Sequence, residues 1–113
     1  MSRFKNKIVL ITGAGSGIGR STALRLDKEG ATSIVVDMNA EQLKKTHLML
    51  ANPESSSRVL DISSLDDAKK CFEEINDKYG RLDALINVAG ILRFDNSHEV
   101  EISNWNKILE VNL

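Results

Sequence analysis

The sequence predicts an α/β fold in which a parallel sheet is doubly wound, with helices on both faces. Three observations point that way. Short β-rich apolar runs alternate with stretches of helical periodicity along the chain. A cluster of glycines stands where the first run passes into the first helix. The runs read as apolar throughout rather than alternately, as strands covered on both faces must.

Ile8-Val9-Leu10-Ile11 is the first such run, and glycines at 13, 15, 17 and 19 end it. Ile18, Thr22, Ala23 and Leu26 then recur at helical spacing, and Gly30 supplies a left-handed stop after Lys28 and Glu29. Residues 33–37 read as a second buried strand whose last residue, Asp37, is acidic. A helix over 40–51 follows, with Leu43, His47 and Leu50 on one face, and Asn52-Pro53 breaks it. Residues 58–61 form a third, shorter strand, after which Ser63 or Ser64 can cap a helix, each with an aspartate three residues later. That helix has the clearest apolar stripe, Ala68, Cys71, Phe72, Ile75 and Tyr79, and Gly80 closes it. Residues 82–88 are a fourth apolar strand ending in Asn87-Val88-Ala89-Gly90. A polar loop follows, and then a helix from about Asn104 bearing Trp105, Ile108 and Leu109. The order βαβαβαβα gives about four strands and four helices, joined by right-handed crossovers.

At 113 residues, 42% hydrophobic and 27% charged, the chain has the make-up of one modest domain or part of one. Fifteen Lys and Arg against sixteen Asp and Glu leave a formal charge of -1, with no basic stripe to suggest a nucleic-acid partner. The single cysteine, Cys71, cannot form an internal disulfide, which suits the cytoplasm or another reducing compartment. The apolar run at 8–11 is far too short for a signal-peptide core or a membrane span, so no membrane association is expected.

The chemistry gathers at Thr12-Gly13-Ala14-Gly15-Ser16-Gly17-Ile18-Gly19. Where a strand turns into a helix, backbone N–H groups and the positive helix end face one pocket, which suits a diphosphate. Glycine there permits the tight turn, the approach of phosphate to backbone, and close packing of helix on strand. Asp37 raises the specificity: it ends the next strand 18 residues after Gly19, close to the roughly 20 of a dinucleotide site. Its carboxylate can accept from the adenosine ribose hydroxyls and would repel a 2′-phosphate. Neither Ser16 in the turn nor Met38 after the acid is basic, so the charges favour NAD over NADP.

These residues resemble the short-chain dehydrogenase/reductase family in its single-domain form. The Thr-Gly-x-x-x-Gly-Ile-Gly pattern at 12–19 is followed in family order by Asp37, Asp61, Asn87-Val88-Ala89-Gly90, and Asn112 in Val111-Asn112-Leu113. The resemblance implies a Rossmann-type fold and hydride transfer between a nicotinamide cofactor and a small alcohol or carbonyl substrate. It places Gly13, Gly15, Ser16, Gly17, Ile18, Gly19, Asp37 and Met38 at the cofactor. Asp61 would bond the adenine amino group, Ile62 would lie on the ring, and Asn87, Ala89 and Gly90 would approach the adenosine. It also implies that Asn112 holds a water in a proton relay through its backbone. Val88 departs from the family's usual Asn-Asn-Ala-Gly and loses a polar contact there. Thr12 is expected to bridge by its hydroxyl to the loop at 87–90.

The family's catalytic serine and Tyr-x-x-x-Lys pair are expected beyond residue 113, so the chain reads as the N-terminal part of a longer enzyme, inactive alone. On that reading the fourth strand is left as an exposed apolar edge. Tyr79, the one tyrosine, has Arg81-Leu82-Asp83 after it and no lysine at the required place. The helix bearing Trp105 implies a homo-oligomer. Cys71 and His47 read as packed residues rather than a nucleophile and a ligand, and His98 as solvated. Two alternatives stand beside the dehydrogenase: a catalytically silent dinucleotide-binding or scaffold module, and a methyltransferase-type fold, against which the Asn-x-Ala-Gly and Val-Asn-Leu landmarks count.

Overall fold

A computed structural model describes residues 3–61 and 63–88, together with the backbone of 109–112. The elements run β1 (Ile8–Thr12), α1 (Gly17–Lys28), β2 (Thr32–Asp37), α2 (Ala40–Met49), β3 (Ser56–Val59), α3 (Leu65–Tyr79), β4 (Ala84–Asn87) and β5 (Leu109–Asn112). The described strands all pair in parallel, in the order β3-β2-β1-β4-β5. The chain therefore leaves the central β1 in one direction for β2 and β3 and returns past it to β4, which makes the β1–β4 boundary a switch point.

The two faces of the sheet are covered by different helices, as the continuously apolar strands require. On one face Leu10, Ile34, Val36 and Leu85 pack against Ala68, Cys71, Phe72 and Ile75 of α3. On the other, Val9, Ile11 and Val35 pack against Ala23 and Leu26 of α1 and Leu43 of α2. The alternation along β1 and β2 is the side-chain period of a strand. Each large aliphatic side chain so buried contributes about 1.5–3 kcal/mol.

Helix ends follow local chemistry. Gly30 (φ 93°) and Gly80 (φ 75°) take the left-handed conformation after α1 and α3. Of the two candidate caps, Ser64 is the one used, accepting the Asp67 amide at 3.2 Å. Helix α2 ends at Met49 rather than residue 51, and Thr46 is fully buried beside Leu43 while His47 and Leu50 are half-buried. Ile18, expected on the core face of α1, is 65% exposed, and Gly19 takes the buried place.

Three further expectations are corrected. β3 covers Ser56–Val59, two residues earlier than the apolar reading placed it. It is the sheet edge, with alternating exposure, so its polar Ser56 and Ser57 pair with Ile34 and Val35 of β2 and apolarity does not mark it. Leu109, assigned to a final helix, lies in β5, opposite Ala84. β5 thereby satisfies the backbone of β4, which is interior to a five-stranded sheet rather than an open edge. The rest of that helix, with Trp105, and the loop with His98 lie outside the described residues.

Candidate functional site

The C-terminal ends of the central strands converge because the registers are parallel and nearly unstaggered. Thr12 lies opposite Asn87, and Asp37 opposite Val59. The Leu60 amide donates to the Asp37 carbonyl at 3.0 Å, so Asp61 emerges beside Asp37. The glycine turn, Asp37, Asp61 and Asn87 thus share one edge, where open α/β sheets bind ligands.

Helix α1 begins differently from α2 and α3. Asn39 and Ser64 cap α2 and α3 with their side chains, and each helix has acid in its first turn. Ser16 at the start of α1 makes no side-chain capping bond, and no acid occupies the first turn. Helix geometry leaves the opening amides without intrahelical acceptors, so the positive end at Ser16, Gly17, Ile18 and Gly19 is left for an anion. A Cβ on Gly17 would meet only open space, whereas one on Gly19 would fall 1.9 Å from the Gly13 carbonyl oxygen. Gly19 therefore lets the helix sit against the turn, and Gly17 keeps its outer side clear.

Not every amide of the turn faces that side, as the sequence pattern had implied. The Ala14 amide donates to the Val36 carbonyl at 3.0 Å, and the Gly15 amide to Asp37 Oδ2 at 2.8 Å. The Asp37 carboxylate also accepts the Asn39 amide through Oδ1 at 2.9 Å. Two oxygens offer about four lone-pair sites, so acceptor capacity for ribose hydroxyls remains. Met38, next in the chain, is 62% exposed.

Arg20 was not singled out by the sequence and proves central to the turn. Its Nε donates to Thr46 Oγ1 at 2.8 Å, and its Nη2 donates to the Gln42 carbonyl at 3.0 Å and to the Gly15 carbonyl. Thr46 Oγ1 in turn donates to the Ala14 carbonyl at 2.7 Å. The Gly15 residue is thus held from both sides, its N–H by Asp37 and its C=O by Arg20. The signals were an arginine directly after the last glycine and a threonine three places after Leu43 on α2.

Asn87 is buried, and its Oδ1 accepts the Thr12 hydroxyl at 2.7 Å, the bridge expected of Thr12. Asn112 lies in register with Asn87 on β5. Ile62, Ala89 and Gly90 lie outside the described residues. Tyr79 is remote from this edge: its hydroxyl donates to the Glu54 carbonyl at 2.6 Å and lies 3.0 Å from Ser56 Oγ, at the opposite end of β3. Cys71 sits in the core, where burial pushes its thiol up to about 12, so it is no nucleophile.

Residues 7–113 match the short chain dehydrogenase family. The chain belongs to that family. It is 40% identical to a 3β-hydroxysteroid dehydrogenase of Mediterraneibacter gnavus, over 100% of this chain and 42% of that protein. The crystal structure of an NAD+-bound xylitol dehydrogenase is similar at TM-score 0.71 and 35% identity, over 74% of this chain and 33% of that one. A structure named as ribose-5-phosphate isomerase, from Brucella melitensis 16M, shares the fold at TM-score 0.79 and 25% identity, over 98% of this chain and 52% of that one. Likeness of fold is therefore shared by proteins named for different reactions, and the site residues must carry the functional argument. The chain spans about half the length of the curated relatives it matches. Among the described residues, no helix is long and apolar enough to cross a membrane.

Proposed function

We propose that residues 1–113 hold NAD for an oxidoreductase that moves hydride between the nicotinamide and a small alcohol or carbonyl substrate. The observation that carries this reading is the uncapped start of α1, with an open side at Gly17, next to a carboxylate anchored at the end of β2. The arrangement fits a dinucleotide: the amides of Ser16, Gly17, Ile18 and Gly19 bind the diphosphate, and Asp37 accepts from the adenosine ribose. Asp37 repels a 2′-phosphate and no cation stands at Ser16 or Met38 to offset it, which selects NAD over NADP. The exposed Ile18 and Met38, with Ile62, cover apolar parts of the cofactor. Asp61 takes the adenine amino group, and Asn87, Ala89 and Gly90 line the adenosine side.

When bound, the nicotinamide supplies the hydride acceptor or donor. Tyr79, engaged at the far end of β3, is not the proton donor, so residues 1–113 bind cofactor without turning substrate over. Asn112 contributes to proton relay through its backbone. The complete enzyme works in the cytoplasm as a homo-oligomer. The test is residue-resolved: NADH added to 15N-labelled protein shifts the amide resonances of Ser16, Gly17, Ile18 and Gly19 together with Asp37. Shifts confined to the β3–α3 edge near Tyr79 would contradict the reading.

A further inference from the structure

Asp61 is fixed at three points by its neighbours. Its carboxylate Oδ1 accepts both the Ser63 amide at 3.0 Å and the Ser63 hydroxyl at 2.6 Å. Its carbonyl accepts the Ser64 amide at 3.0 Å. Its own amide donates to Asp67 Oδ2 at 2.9 Å. The remaining carboxylate oxygen, Oδ2, has no partner among the described residues.

The third contact departs from what local helix chemistry provides. Ser64 is the N-cap of α3, and Asp67, three residues on, occupies the place from which an acidic side chain ordinarily reaches back to the N-cap amide. Here the Ser64 amide is already given to the Asp61 carbonyl, and the Asp67 carboxylate reaches past it to the Asp61 amide. Its other oxygen accepts Arg58 Nη1 at 3.0 Å, and Arg58 Nε donates to Glu74 Oε1 at 2.8 Å. Asp67 and Arg58 are only 28% and 21% exposed in their side chains, so the bridge is partly sheltered from solvent. The Asp61 amide, with help from Arg58, holds the Asp67 carboxyl below the usual carboxylate range.

We propose that Asp67, braced by Arg58, is a positioning residue that sets Asp61 for the exocyclic amino group of adenine, so that it governs purine discrimination without touching the cofactor. This rests on reading the chain as the NAD-holding part of the enzyme. With Ser63 occupying one carboxylate oxygen, the orientation of the other depends on where the Asp61 backbone is held, and Asp67 holds it. Removing Asp67 leaves Asp61 tied to Ser63 and Ser64 but releases its amide from α3, so its other carboxylate oxygen is no longer held in one direction.

The test compares NADH with reduced nicotinamide hypoxanthine dinucleotide, in which a carbonyl oxygen replaces the purine amino group and faces Asp61 with an acceptor. Equilibrium titration of the full chain is expected to show about a tenfold preference for NADH, the size of one hydrogen bond to a charged group. Asp67→Ala brings the ratio toward one by losing NADH affinity alone. Asp67→Asn keeps an oxygen for the Asp61 amide but turns its NH2 toward Arg58, so it loses the brace and, like Arg58→Met, lowers the ratio only partway. Arg58→Met, which leaves Asp67 in place without its brace, lowers the ratio partway and serves if Asp67→Ala does not fold. Equal loss for both dinucleotides in Asp67→Ala, or an unchanged ratio, overturns the proposal. If Asp61→Ala leaves a wild-type preference intact, the placement of adenine on Asp61 fails, and Asp67 with it. If the wild type binds neither dinucleotide, the NAD reading itself fails.

Discussion

Asp37 Oδ2 accepts the Gly15 amide at 2.8 Å, so the acid that ends β2 is built into the glycine turn. The same carboxylate holds the Asn39 amide at the start of α2. One side chain thus ties the turn, β2 and α2 at the edge where the cofactor is proposed to lie.

Because of that double engagement, Asp37→Ala removes more than a ribose acceptor. The expected result is a loss of NADH affinity on the order of tenfold to a hundredfold, about one or two hydrogen bonds to a charged group. NADPH does not rise to the wild-type NADH level, because the turn that must hold its diphosphate is loosened too. Calorimetric titration of both cofactors checks this. A clean exchange of preference, with NADPH bound as tightly as NADH was, would show that the turn does not depend on Asp37.

Two glycines of the turn are expected to fail in different ways. A Cβ at Gly15 would stand 2.8 Å from Asp37 Oδ2 and 3.2 Å from Gln42 Cβ. The carboxylate can swing aside only by giving up the Gly15 amide, so Gly15→Ala folds but loses about one hydrogen bond, roughly 1 kcal/mol, and binds NADH more weakly. At Gly19 the obstacle is backbone, the Gly13 carbonyl at 1.9 Å, and α1 must lift off the turn. Gly19→Ala is expected to cost about 1–3 kcal/mol or more in urea denaturation. Equal stability of the two variants would contradict the distinction.

How far the sequence revealed this fold varied with how local the signal was. The α3 stripe from Ala68 to Tyr79, the Gly80 stop and the strand at β1 were legible because burial on one face or both leaves a periodic mark. The start of β3 is not legible, because an edge strand with half its side chains in water need not be apolar, and Ser56 and Ser57 look like loop. The strand at Leu109 is not legible either, because an apolar pair such as Ile108-Leu109 suits a helix as readily as a strand in the sequence, and only pairing with β4 decides for Leu109. At the site, Asp37 could be found by spacing. Its bond to Gly15 and the Arg20 clamp could not, since they depend on how α2 packs over the turn.

The Thr12 hydroxyl and Asn87 Oδ1, 2.7 Å apart and buried, join β1 to β4 beneath the turn. Thr12→Val keeps the shape and removes the donor. It is expected to cost about 1–3 kcal/mol, the range for taking a partner from a buried polar group. Chemical denaturation of the variant checks the figure; a change below a few tenths of a kcal/mol would mean the bond contributes nothing net.

Cys71 gives the chain an alkaline limit. Its thiol ionises near pH 9.0 in the unfolded chain and at about 12 in the folded one, because burial disfavours the thiolate. Below pH 9 both states keep the proton and Cys71 adds no pH dependence. Above it the unfolded state loses a proton that the folded state retains, so stability falls as pH rises toward 12. Cys71→Ala is expected to cost about 1 kcal/mol at pH 7 and to show a shallower decline between pH 9 and 11. Parallel slopes for variant and wild type in urea titrations would contradict this.

The central claim is that opening amides of α1 take a diphosphate while Asp37 takes the neighbouring sugar and rejects a phosphate upon it. Equilibrium titration of the wild-type chain with NADH and with NADPH at one ionic strength addresses it most directly. Saturable binding of NADH, with NADPH weaker by about tenfold or more, is the predicted result. Preference for NADPH, or no saturable binding of either, would contradict it.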